Sequence, residues 1–189
     1  GGMLLPAMFF TMITAIVLGM GVPTTANYVI TSTIAAPALE QMGVPVLAAH
    51  MFVFYFGIIA DVTPPVALAA YAGAGISGGN ALKTGVHASK LAIAAFIIPY
   101  VFVLSPVLLM VDATPLAIVS VTLTALLGMI AISSALCGFL ADHCRPYERI
   151  LLIIAGLLMI KPGGITDLVG LALFVVILVM QYRRAKEAA

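Results

Sequence analysis

The chain has 189 residues, 63% hydrophobic and 8% charged, and a net charge of +1. A soluble domain carries about 25% charged residues, so these residues cannot coat a globule in water, and the near-neutral balance offers no basic face to nucleic acid. With a mean hydropathy of +1.25, lipid is the expected solvent for most of the exterior, and only an all-α or closed-barrel chain satisfies its backbone there. Long apolar runs at helical length decide for an all-α integral membrane protein. Cys137 and Cys144 form no CxxC and have no Cys/His ligand spacing, which excludes a disulfide framework and a zinc site as expectations. Gly1-Gly2-Met3 opens inside an apolar run with no basic region or cleavage site, so the start reads as the middle of a larger membrane protein and not as a signal peptide. Trp is absent, and interfacial anchoring falls to the six tyrosines.

Residues 3–40 make the first unit. Apolar Met3–Val22 leads into Pro23-Thr24-Thr25-Ala26-Asn27, and a second limb runs Tyr28–Leu39. That limb is 12 residues, roughly 18 Å at helical rise, too short to cross. Gly19, Gly21 and Pro23 break the helix just where Thr24, Thr25 and Asn27 bring hydrogen-bonding side chains. A re-entrant helical hairpin is expected; the alternative is one kinked helix followed by a surface helix.

Residues 46–77 make the second. Val46–Ala60 and Val66–Ile76 flank Asp61-Val62-Thr63-Pro64-Pro65, and the limbs together cross once as an interrupted transmembrane helix. Two prolines remove two donors and free the carbonyls of the preceding turn. Such backbone is tolerated at membrane depth only against protein or a cavity. Asp61 costs about 2.5–3.5 kcal/mol at a helix centre, so it is expected to find a partner or to cap the following half-helix.

Lys83, His87 and Lys90 share one helix face, which predicts an interfacial helix over 82–90 leading into a span over 91–111. After the turn Val111–Pro115 come a span over 116–140, the loop Ala141–Arg149 and a pair of short helices over 150–182. Residues 1–111 and 112–189 thereby separate into a region holding both breaks and a C-terminal membrane extension. Placing Lys83, Lys90, Arg145, Arg149 and the Arg183/Arg184/Lys186 cluster on the cytoplasmic side satisfies the basic-residue rule if the last two helices form a V. The Asp112 turn and Lys161 then lie outside.

Half-helix N-termini favour anionic groups, while unwound carbonyls and C-terminal ends favour cations. Thr24, Thr25 and Asn27 are the candidate solute contacts. Gly19, Gly21, Pro23, Thr24, Asp61, Thr63 and Pro64 are the candidate cation contacts. All offer hard oxygen donors, suited to Na⁺ and not to a soft metal. Beyond Na⁺ as a coupling ion, no cofactor is expected.

The tip Gly19-Met20-Gly21-Val22-Pro23-Thr24-Thr25, the limb Ala36-Pro37-Ala38 and the break Phe56–Pro65 follow one another in a known order. Over roughly Met3–Met110 the chain resembles the second half of the large membrane subunit of tripartite ATP-independent periplasmic (TRAP) transporters. VPTT-x-NYV with ADVTPPVALAAYA looks most like the fused permeases of the TAXI subgroup. Leu116–Ala189 is similar only in general character to their C-terminal extension.

The resemblance implies an elevator-type transporter with two inverted repeats, of which this is the second. It implies Na⁺-driven import, across the bacterial cytoplasmic membrane, of a small carboxylate-bearing solute delivered by a periplasmic binding protein. Gly19, Gly21, Pro23, Thr24 and Thr25 match the family's tip, and Thr63, Pro64 and Pro65 its break. Pro23 stands where the family often has an acid, and Asp61 is not a general feature of its break.

Two rival readings compete. One is a binding-protein-independent Na⁺/carboxylate symporter of related fold. The other takes Gly75-Ile76-Ser77-Gly78 for the GxSG of an intramembrane serine protease, which needs a His base; His87 sits on the predicted interfacial face and His50 at the other end of the interrupted helix, and both placements count against it.

Overall fold

The computed structural model describes residues 3–111, 113–160 and 163–187. The Asp112 turn and Lys161 and Pro162, given places in the expected topology, lie outside them. No strand occurs among the described residues; a lone bridge pairs Phe139 with His143. Contacts divide the chain into two units, Gly1–Leu109 and Met110–Ala189, each with its own apolar core.

In the first unit α1 (Leu4–Gly19) ends at the glycines, and α2 (Thr24–Ile34) begins directly after Pro23. Helix therefore starts at Thr24 and not at Tyr28 as expected, because Pro23 supplies a preset φ before the first turn and its carbonyl accepts from Asn27 N at 2.9 Å. The second limb is also not one helix. Pro37 has no N–H to give the carbonyl of Thr33, so the limb kinks at Ala35 and resumes as α3 (Ala36–Glu40).

Helix α4 (Val46–Ile59) is the centre of the unit. It packs against α1, α2 and α3 and against α7 (Ile93–Leu104), burying Phe52, Val53 and Phe56 completely. A 3₁₀ turn at Ala60–Val62 and an irregular stretch through Ala67 separate it from α5 (Leu68–Ser77), so the helix is interrupted at the expected place. Helix α6 (Ala81–Leu91), capped by Asn80, leads through Ala92 into α7.

Ala81–Leu104 is thereby one apolar stretch long enough to cross a membrane, with the predicted interfacial segment built into it. It stops short of residue 111. Pro106 forces Ser105 into an extended conformation (φ −144°, ψ 86°), and a 3₁₀ turn follows at Pro106–Leu109.

The second unit is an antiparallel trio: α8 (Pro115–Cys137), α9 (Pro146–Ile160) and α10 (Gly164–Glu187). Pro115–Cys137 and Gly164–Lys186 are each long and apolar enough to cross. The expected pair of short helices is corrected here. Helix α9 starts at Pro146 and not at Ile150, and α10 continues through its basic residues because Arg184 has partners there. Its Nε donates to Asp142 Oδ2 at 2.6 Å, its Nη1 to Glu148 Oε1 at 2.8 Å, and its Nη2 to the His143 carbonyl at 2.8 Å.

Glycines let these helices touch. A β-carbon at Gly156 would stand 2.7 Å from the Gly128 carbonyl oxygen, and one at Gly170 would stand 2.8 Å from that of Ala155. Close backbone approach of this kind supplies dispersion contact where lipid offers no hydrophobic drive for helices to associate.

Candidate functional site

The ends of α1 and α4 meet at Gly19. A β-carbon there would stand 3.0 Å from the Gly57 carbonyl oxygen, 3.0 Å from the Ala60 β-carbon and 2.6 Å from Asn27 Nδ2. One at Gly57 would collide with the same Nδ2. Two glycines thus open a slot between two helix C-termini, and the Asn27 side chain fills it from the first turn of α2. Asn27 is 1% exposed, and its Oδ1 is buried with no hydrogen-bond partner among the described residues. Such an orphan acceptor is costly, by about 1–3 kcal/mol.

The formal charges in this part of the chain have one sign. Residues 1–82 contain Glu40 and Asp61 and no Lys or Arg. Two C-terminal ends add the partial negative charge of their helix dipoles. The N-terminus of α2 faces the same region and contributes the opposite partial charge.

The other tip residues are arranged around this slot. Gly21 takes φ +76°, open to side-chain-free backbone only, and Pro23 is exposed at the α2 cap. Thr24 is half-buried and Thr25 exposed, both within helix α2, and neither hydroxyl has a hydrogen bond among the described residues.

At the second break the freed carbonyls are mostly taken. Thr63 Oγ1 donates to Ile59 O at 2.7 Å, Ser89 Oγ from α6 donates to Val62 O at 3.0 Å, and Tyr71 Oη from α5 donates to Pro65 O at 2.7 Å. Pro64-Pro65 is a cis peptide, and Ala67 takes the left-handed conformation (φ 37°, ψ 46°). Gly85 lets α6 lie flat on this turn, since a β-carbon there would stand 3.1 Å from Pro64 and 3.2 Å from Tyr71.

Asp61 is half-buried in the 3₁₀ turn Ala60–Val62, and among the described residues its carboxylate makes no hydrogen bond or ion pair. It does not cap the next half-helix, whose first turn has no side-chain cap. The capping role is overturned: the chain turns at Thr63, and α5 begins only at Leu68, seven residues beyond Asp61.

Sequence reading missed four contributors. Gly57 was only a letter in a motif, Ser89 and Tyr71 are remote partners of the break, and Tyr28 binds across to His50. The Tyr28 hydroxyl and His50 Nδ1 are 2.9 Å apart, and His50 Nε2 lies 3.2 Å from Glu40 Oε1. The same contacts weigh against His50 as the base of a serine protease. His50 is committed to Tyr28 and Glu40, while the Ser77 hydroxyl donates to the Ala74 carbonyl at 3.3 Å. Among the described residues no cluster of His, Cys, Asp and Glu is arranged to hold a metal ion.

The family model of the tripartite ATP-independent periplasmic transporter, DctM component, matches residues 2–117. The chain belongs to that family. No curated protein and no solved structure matches it significantly. As a DctM component it is a membrane part of a transporter and not an enzyme, it works in a bilayer, and its family operates with a periplasmic binding protein. The match takes in the whole first unit and only the opening turn of α8. The slot at Asn27 and the break at Pro64-Pro65 lie within the matched region, whereas the polar loop at residues 138–145 and helices α9 and α10 lie beyond it.

Proposed function

We propose that this DctM-type chain is the second-repeat part of a TAXI-type fused permease in the bacterial cytoplasmic membrane. It imports a small organic acid, received from a periplasmic binding protein, at the expense of a Na⁺ gradient. The observation that carries the reading is the buried, unpartnered Oδ1 of Asn27 between two helix C-termini, in a stretch whose formal charges are all negative. A desolvated hard oxygen in a field of that sign suits a small alkali cation. Asp61, unpaired at the next turn, supplies the charge that a neutral amide lacks. Thr24 and Thr25, with free hydroxyls at the start of α2, suit the carboxylate of the solute.

The test uses the full-length transporter with its binding protein in proteoliposomes, with solute uptake followed against Na⁺ concentration. Asn27→Ala is expected to raise the Na⁺ concentration for half-activation about tenfold, with normal amounts of protein in the membrane. Wild-type Na⁺ activation in that variant removes Asn27 from the ion site. Equal uptake without the binding protein points instead to the binding-protein-independent symporter.

A further inference from the structure

We propose that Tyr28, His50 and Glu40 form a clasp that positions Asn27, fixing the height at which its amide enters the slot; this rests on the ion-site reading of Asn27. Helix α4 carries His50, Phe54 and Gly57 at spacings of four and three, which puts them on one face. Helix α2 lies along that face. Asn27 sits over Gly57, while the next residue, Tyr28, packs edge-on against Phe54 with ring centroids 5.5 Å apart.

The glycine floor under Asn27 excludes bulk, but it offers nothing directional along the helix axis. A slide by one residue moves a side chain about 1.5 Å, enough to remove an oxygen from a cation's shell. The hydrogen bond from Tyr28 to His50 supplies the missing axial restraint within one residue of Asn27.

Glu40 completes it. It is the last residue of α3, which continues the α2 limb beyond the kink at Ala35. With Glu40 ionised, one imidazole tautomer satisfies both contacts: Nε2–H donates to Glu40, and Nδ1 accepts from the Tyr28 hydroxyl. A single ring on α4 therefore holds the limb near its tip and at its far end. Glu40 sets the tautomer, and the tautomer sets whether Tyr28 can donate.

The test is run in the full-length transporter with its binding protein, reading the Na⁺ concentration for half-activation separately from the maximal rate. Tyr28→Phe keeps the ring against Phe54 and deletes the donor. It should raise half-activation about threefold to tenfold, the effect of one hydrogen bond, with maximal rate and membrane abundance unchanged. Glu40→Ala should give the same shift, Glu40→Gln should remain within about twofold of wild type because it keeps an acceptor, and Tyr28→Phe/Glu40→Ala should be no worse than either single change.

A lowered maximal rate with unchanged half-activation, or shifts that multiply in the double variant, overturns the clasp. If Asn27→Ala shifts half-activation and Tyr28→Phe does not, the clasp fails alone. If wild-type uptake ignores Na⁺, the ion-site reading fails and the clasp with it.

Discussion

At the scale of single residues the site is built by subtraction. Gly19 and Gly57 withhold side chains so that Asn27 can enter, and Asn27 then leaves one oxygen unspent. Asp61 stands close by in sequence to the Ala60 wall of the slot, unpaired and not capping. A capping role would survive Asp61→Asn, since a cap needs only an acceptor. An electrostatic role toward the coupling ion would not. Asp61→Asn is therefore expected to raise the Na⁺ concentration for half-activation severalfold in well-inserted protein, and unchanged activation would remove the carboxylate from ion binding. The tip residues were legible as letters because Gly, Pro, Thr and Asn have fixed physical uses. What was not legible is which one points inward: a helix beginning at Thr24 rather than Tyr28 turns Asn27 into the slot and leaves Thr25 outside.

At the scale of elements, breaks could be read and their repair could not. The residues that end α4 are local and chemically explicit, but Ser89 reaches Val62 from 27 positions away, and no spacing rule anticipates that. The same holds at the foot of α9. Glu148 is 1% exposed in the first turn, outside the three helices long enough to cross. Burial opposes its ionisation, yet Arg184, the Arg145 N–H and the Gln181 amide outweigh that and hold its carboxyl at about 2. Asp142 in the preceding loop is lowered as well, by Arg184 first and by the His143 N–H second.

A carboxyl with a depressed pKa stabilises the fold fully above its unfolded value, here near 4.5, and loses that contribution as pH falls toward 2. Thermal stability of the purified protein in detergent should accordingly be flat from neutral pH down to about pH 5 and then decline. Glu148→Gln should start lower at neutral pH and lose most of the decline. An equally steep acid loss in that variant would assign it to other groups.

At the scale of the whole molecule, composition and span counting were enough for an all-α membrane protein, and the counting failed where charge had been taken as the end of a helix and where Pro106 cut short the span expected over 91–111. The bonds from Arg184 and Gln181 to residues 141–148 put the C-terminal end of α10 and the loop before α9 at one end of the second unit. Arg149 is there too, its Nε donating to the Ala135 carbonyl at the close of α8. The basic residues that charge counting had placed together are thus physically together within that unit. Single cysteines at Arg145 and Arg183, with Cys137 and Cys144 replaced, should both resist an impermeant thiol reagent applied to intact cells, as should one at Lys83. Labelling of the Arg183 position alone would break the shared end.

The distance along the chain between Glu148 and Arg184 carries a consequence for how this protein is made. The carboxylate leaves the ribosome 36 residues ahead of the cation that compensates it, and the Gln181 amide that shares the task comes nearly as late. During synthesis α9 cannot settle against α8 without sealing in an unbalanced charge. Packing with that charge balanced requires the last turn of α10. Closure of the second unit therefore depends on Gln181 and Arg184, and a chain cut before them is expected to leave α9 more open to proteolysis.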